Sequence, residues 1–282
     1  MAQRSIVTKP TTARKKFQGF NPGKVETIRT AKVQMDPQLE KALKMWEAAL
    51  VKKHEFDTHY EEHHDEKYPY AEAAADLLNW VKDNYKRFGV IPSKGLIEKF
   101  TVLMSLEPAY SGFLSGPFIS ALMNESNDNG FVLHVPQRPF IGGGITGLAY
   151  LGMENRKDFT IIGRVSDVGF GMEEGSITIE GVCTDLLGYD MKGGRITIKG
   201  PQDSIEIGPG MKGGTIEVFG NLSCEIAELK GGRIIIHGSL LNDARFTGER
   251  GEIHIFGEAP DPRDFEGMPG VSIFHKGKLI AP

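Results

Sequence analysis

Three groupings of residues in the chain have the types and spacing that chemistry requires. His59-Tyr60-Glu61-Glu62-His63 matches H-x-x-E-H, in which His59 and His63 share one helical face to bind zinc and Glu62 activates a water. The match is short and lies in the charge-rich run HEFDTHYEEHHDEKY. A zinc enzyme also needs a distant third ligand, and nothing in the sequence selects Glu98 or His134 for that role. A solvated helix end is therefore the preferred reading, and the metal-dependent hydrolase the alternative. Gly142-Gly143-Gly144-Ile145-Thr146-Gly147 formally satisfies G-x-G-x-x-G, but no helix of useful length follows it, as a dinucleotide site demands. It reads as a backbone corner. Met172, Met191, Met211 and Leu229 recur at one offset; Leu in the series favours core packing over a soft-metal site.

Composition narrows the classes further. The 282 residues carry a net charge of −4 and 40% hydrophobic residues, the balance of a globular protein and unlike a dedicated nucleic-acid binder. Between Met1 and Val33 eight basic residues face Glu26 alone, so a flexible basic arm over residues 1–35 carries +7 and the remainder −11. No known nucleic-acid-binding module accompanies its charges, so it is expected to stay solvated or to order on an acidic partner. Two cysteines, Cys183 and Cys224, are too few for a four-cysteine cluster and fit a reducing, cytoplasmic setting. There is no run of about 18 apolar residues to cross a membrane.

The elements that position these residues fall into two kinds. Residues 36–130 carry helical periodicity. Asp36-Pro37 opens a helix with Leu39, Leu43, Trp46 and Leu50 on one face. A second runs over about 70–88 with Ala71, Ala75, Leu78, Val81 and Tyr85 inward, and Gly89 at its C-cap. A third starts at Ser93 with Leu96, Ile97, Phe100, Leu103 and Met104, and a short fourth spans Pro117 to Met123. Such a segment makes a helical cap.

From Phe159 onward a different pattern takes over: FTIIG, GSITIEG, GGRITIKG, GGTIEVFG, GGRIIIHG and RGEIHIFG. Their closing glycines, Gly163, Gly181, Gly200, Gly220, Gly238 and Gly257, are separated by 18, 19, 20, 18 and 19 residues. A period near 19 with one short alternating strand per repeat predicts a solenoid of stacked turns, that is, a mainly β parallel β-helix. Two and four residues before each closing glycine all twelve side chains are apolar, and eleven are Ile or Val. That face turns inward. Gly175, Gly194, Gly214, Gly232 and Gly251 stand six residues before the closing glycine, where a corner with positive φ or a close backbone approach is needed. The solenoid is expected over 131–258, with FVLHV and the following glycines as an irregular first turn and 259–282 as a C-terminal cap.

The outward face changes character along the stack. Thr178 with Glu180 and Thr197 with Lys199 are ordinary polar surface, whereas Phe219, Ile235 and Phe256 stand outward beside His237 and His254. An exposed apolar group with aromatic members marks an interface, so these three residues are the interface candidates. A second column, Lys192, Lys212 and Lys230 with Arg195 and Arg233, is either fully solvated or meets an anion.

GYDMKGGRITIKG followed by GPGMKGGTIEVFG, with GFGMEEGSITIEG before and GGRIIIHG after, resembles the GXGXG β-helix family over about Phe159 to Gly257. That family includes the C-terminal domain of the glutamate synthase large subunit and the β-helical subunit of formylmethanofuran dehydrogenase. The resemblance implies a right-handed β-helix acting as a rigid, non-catalytic spacer in an oxidoreductase complex, with cofactor chemistry on other domains or chains. It implies no cofactor on this chain and other protein subunits as partners; the alternative beside it is a freestanding homo-oligomer whose repeats serve only self-association.

Overall fold

The computed structural model describes residues 35–52, 69–106, 114–136, 148–200, 202, 205–241, 245–258, 261–266 and 268–281. Two units are distinguished, Met1–Asp36 and Pro37–Pro282, and every element below belongs to the second.

Four helices precede the solenoid: α1 (Pro37–Val51), α2 (Pro69–Asn84), α3 (Lys94–Leu106) and α4 (Ser115–Glu125). Their placement follows the periodicity, but the buried faces are rotated from the expected ones. In α1 the fully buried side chains are Ala42, Met45, Trp46 and Ala49, while Leu39, Leu43 and Leu50 only flank the core. In α2 they include Ala73, Ala74, Leu77, Leu78 and Val81, with Ala71 and Ala75 partly exposed. Alanine on the contact face lets helix axes approach more closely than leucine does, which no count of apolar residues reveals. α2 ends at Asn84, four residues short of the expected end, and its exit closes through a Val90 N–H to Tyr85 carbonyl bond of 3.0 Å and Gly89 at φ 67°.

α4 is the hub. Every residue from Ser115 to Met123 is buried, and Phe118 meets Trp46 edge-on and Phe100 face-on, both with centroids 5.2 Å apart. Gly116 is required here because a Cβ would overlap the carbonyl of Ala149. Ser120 Oγ donates to the Gly116 carbonyl at 2.7 Å and accepts the Gly152 N–H at 2.9 Å, tying the helix to the first turn of the solenoid.

The solenoid is a single wrapped sheet of thirteen strands. Its front stack is β1 (Phe131–Val135), the first halves of β3 (Asp158–Val168) and β4 (Ser176–Leu187), then β5 (Arg195–Ile198), β7 (Thr215–Val218), β9 (Arg233–Ile236), β11 (Gly251–Ile255) and β12 (Val271–His275). All eight pair in parallel. The second stack joins β2 (Leu148–Ala149), the far halves of β3 and β4, β6 (Ile205–Ile207), β8 (Cys224–Leu229) and β10 (Arg245–Gly248). FVLHV is thus not irregular: Phe131 pairs with Phe159 and Val135 with Gly163, adding a regular strand before the six repeats, and VSIFH adds another after them. These two strands lack the Gly-x-Ile-x-Ile-x-Gly frame, so the repeat alone could not find them.

One inward ladder runs Phe131, Phe159, Ile177, Ile196, Ile216, Ile234, Ile253, Ile273, none more than 3% exposed. Two corner devices hold the register. Gly194, at φ 78°, turns the chain where a Cβ would lie 2.5 Å from Met172 Cε, and Gly181 passes so close below Gly163 that any Cβ would overlap its carbonyl. Met172, Met191, Met211 and Leu229 are completely buried beside these corners, so the column is core.

Both ends of the front stack are covered. At the first, Glu98 of α3 accepts the Val132 N–H at 2.7 Å, satisfying an edge donor of β1. At the last, β13 (Lys278–Ala281) folds back antiparallel on β12, and the short 3₁₀ helix Pro262–Phe265 packs Phe265 against Phe246 of β10 at 4.8 Å.

Candidate functional site

The front stack presents three outward columns, because side chains at every second position of each strand share a face. The outermost runs His134, Ile162, Glu180, Lys199, Phe219, His237, Phe256; its in-register strands stack these residues one above another. The middle column runs Val132, Thr160, Thr178, Thr197, Glu217, Ile235, His254, Phe274, and the third begins at Asp158 and includes Arg195, Arg233 and Glu252.

The three interface candidates come together on this face. Phe219 and Phe256 are 42% and 43% exposed, large values for phenylalanine, and Ile235 lies half-buried in the neighbouring column. His237 is sandwiched between the two phenylalanines, 4.1 Å from the Phe219 ring at 10° and 5.4 Å from the Phe256 ring at 14°. A second stack, His254 on Phe274 at 4.6 Å and 8°, adjoins it. The contribution of Phe274 escapes sequence reasoning because it sits on β12, outside the repeat.

Each histidine is oriented by a carboxylate that an arginine also holds. Glu217 receives His237 Nε2 at 2.8 Å on one oxygen and Arg195 at 3.0 Å on the other. Glu252 receives His254 Nε2 at 3.1 Å and Arg233 at 2.7 Å. These partners, with burial opposing them, hold the Glu252 carboxyl below the usual glutamate range, His254 and Arg233 hydrogen bonds coming first. The face is therefore aromatic at its crest with internally compensated charge beneath, an arrangement suited to covering by another surface.

The lysine column is compensated within the chain. Lys192 reaches Glu173 at 3.4 Å, Lys212 reaches Asp190 at 3.0 Å and Lys230 reaches Glu228 at 3.9 Å. Opposite charges, from the preceding turn for Lys192 and Lys212 and from the same turn for Lys230, replace the anion that the like-charged column alone invites. A shallow groove of about 520 Å³ beside it, lined by Gly214, Gly232, Gly251, Arg233 and Arg250, gathers both signs of charge.

The remaining candidates separate. His59, Glu62 and His63 lie outside the described residues, as does Gly142–Gly147. His134 stands exposed on the outer column and Glu98 is occupied by the β1 edge, so the two are engaged differently. Cys183 and Cys224 are free, buried thiols; burial pushes both up, Cys224 to about 12 and Cys183 further under the added influence of Asp167. Among the described residues no three His, Cys, Asp or Glu side chains are placed to hold a metal ion, and no helix is long and apolar enough to cross a membrane.

One carboxyl stands apart. Asp167 occupies the bulge where the β3–β4 register breaks between Ser166 and Val168, at φ 51°. Burial, and secondarily Asp185 on the next turn, push it up to about 6. Comparison with protein-family models, with curated proteins and with solved structures finds no match to this chain.

Proposed function

We infer that this chain is a non-catalytic structural or assembly subunit that docks another protein through the front face of its β-helix. The observation that carries the reading is the exposed stack Phe219–His237–Phe256 on in-register parallel strands. Leaving two phenylalanines about two-fifths exposed in water is unfavourable unless a partner covers them, and each returns roughly 1–2 kcal/mol when it is covered. In-register strands fix the rings in place, so a partner meets a surface whose ordering cost is already met. By its resemblance to the GXGXG β-helices, the assembly is an oxidoreductase complex of the glutamate synthase or formylmethanofuran dehydrogenase kind, with the chemistry on other chains.

Native mass spectrometry of the chain isolated gently from its own cells tests this. The Phe219→Glu/Phe256→Glu double variant is expected to keep its circular dichroism spectrum and melting temperature within about 3 °C while losing its co-purifying subunits, because surface changes on a strand cost little on their own. Unchanged partners in the double variant would refute docking through this face.

A further inference from the structure

We propose that the occupant of the front face is a second copy of this chain, packed face to face about a two-fold axis that runs parallel to the strands through the middle of the stack. This rests on the docking reading above and names the partner.

The axis follows from the distribution of residues along the columns. A two-fold axis parallel to the strands keeps each column opposite itself and reverses the order of strands. Placed between β5 and β7, the midpoint of the eight parallel strands, it sets β3 of one copy against β11 of the other and β4 against β9. Ile162, half-buried and the one apolar residue in the outer column before Phe219, then lies opposite Phe256. Glu180 lies opposite His237, and Lys199 lays its aliphatic stem opposite Phe219. In the middle column Val132 meets Phe274, Thr178 meets Ile235, and Thr197 meets Glu217, a hydroxyl donor against a carboxylate acceptor. At the rim Asp158 comes opposite Glu252, whose charge Arg233 and His254 already hold.

An axis moved to His237 would overlay the two aromatic patches on each other but leave the first strands uncovered. Extent decides between these placements. Seven gaps at ~4.8 Å make a face about 34 Å long, and its three columns span about 14 Å. That rectangle is about 480 Å², roughly 60% of the ~800 Å² per partner of a standard interface before side-chain relief is counted, whereas the aromatic end alone supplies about half of it. The mid-stack axis uses the whole face, and it pairs Ile162 with Phe256, Val132 with Phe274 and Glu180 with His237.

Sedimentation velocity of the full chain at neutral pH tests the arrangement. The wild type is expected to be a dimer, and Phe256→Glu a monomer. Ile162→Glu, five strands away, is expected to be a monomer as well, which a contact through the aromatic end alone does not produce. His237→Glu, which faces Glu180 of the other copy, is expected to weaken the dimer at least tenfold, and adding Glu180→Lys to the same chain to recover it. Circular dichroism confirms that each variant folds. A dimer indifferent to Ile162→Glu, or no recovery in the double variant, overturns the proposed axis. A monomeric wild type overturns the second copy as occupant; if hydroxyl-radical footprinting of the natively isolated material then shows Phe219 and Phe256 protected, the docking reading stands with another protein in place, and if they are open to oxidation both fall.

Discussion

Replacing Asp167 by asparagine isolates the cost of one buried carboxylate in the solenoid. The Leu186 backbone on the next turn favours the charged carboxylate, but burial and Asp185 outweigh it and raise the pKa from 3.8 to about 6. The folded state therefore binds a proton more tightly than the unfolded chain does. Stability tied to this group is fully present below pH 3.8, is lost as pH rises toward 6, and is absent above it. A shift of that size corresponds to about 3 kcal/mol at neutral pH, and partial exposure of the residue lowers the expectation to about 2. Asparagine retains an acceptor for the Leu186 N–H, tolerates the left-handed backbone at φ 51° and never ionises. Thermal unfolding followed by circular dichroism should place Asp167→Asn about 4 °C or more above wild type at neutral pH. Near pH 4.5 the gap should fall to about a third, because the wild-type carboxyl is then protonated in the folded state. A gap independent of pH would show that the carboxyl is hydrated and that any gain is purely conformational; a variant less stable at every pH would show that the charge itself holds the bulge.

Two further outcomes follow from the core. Met191, fully buried where Gly214 packs against its Cε, should cost about 2–5 kcal/mol as Met191→Ala but under about 1.5 kcal/mol as Met191→Leu, measured by denaturant unfolding, since Leu229 already occupies the equivalent place further along the same column. Cys183 and Cys224, buried and pushed up in pKa, should resist a thiol-reactive disulfide reagent at about pH 8 in the native state and react stoichiometrically once unfolded; rapid native labelling would mean the second stack opens.

The amino-acid sequence determines the architecture because a solenoid is written in local terms. Each turn repeats one strand, one inward Ile or Val pair and one glycine corner, and stacking identical turns is the way to bury that pair, so period and alternation together leave little freedom. The same alternation placed Phe219, Ile235 and Phe256 outward, as they are found. What the sequence could not specify depends on register between distant segments. Phe131 and Ile273 join the inward ladder, and Phe274 joins the aromatic face, only because β1 and β12 pair with strands 28 and 20 residues away in sequence. The Arg–Glu–His sets likewise bring together Arg195, Glu217 and His237 from three different turns, and Lys192 and Lys212 find their carboxylates on the preceding turn. The faces the helices bury were decided by packing as well: α4 and the first turn meet where Gly116 admits the Ala149 carbonyl, and α1 buries Ala42, Met45, Trp46 and Ala49 rather than the leucine stripe that periodicity favours. Local pattern fixes which side of a strand is buried; only tertiary contact fixes which neighbour lies across from it, since contact energy depends on shape and charge in both partners.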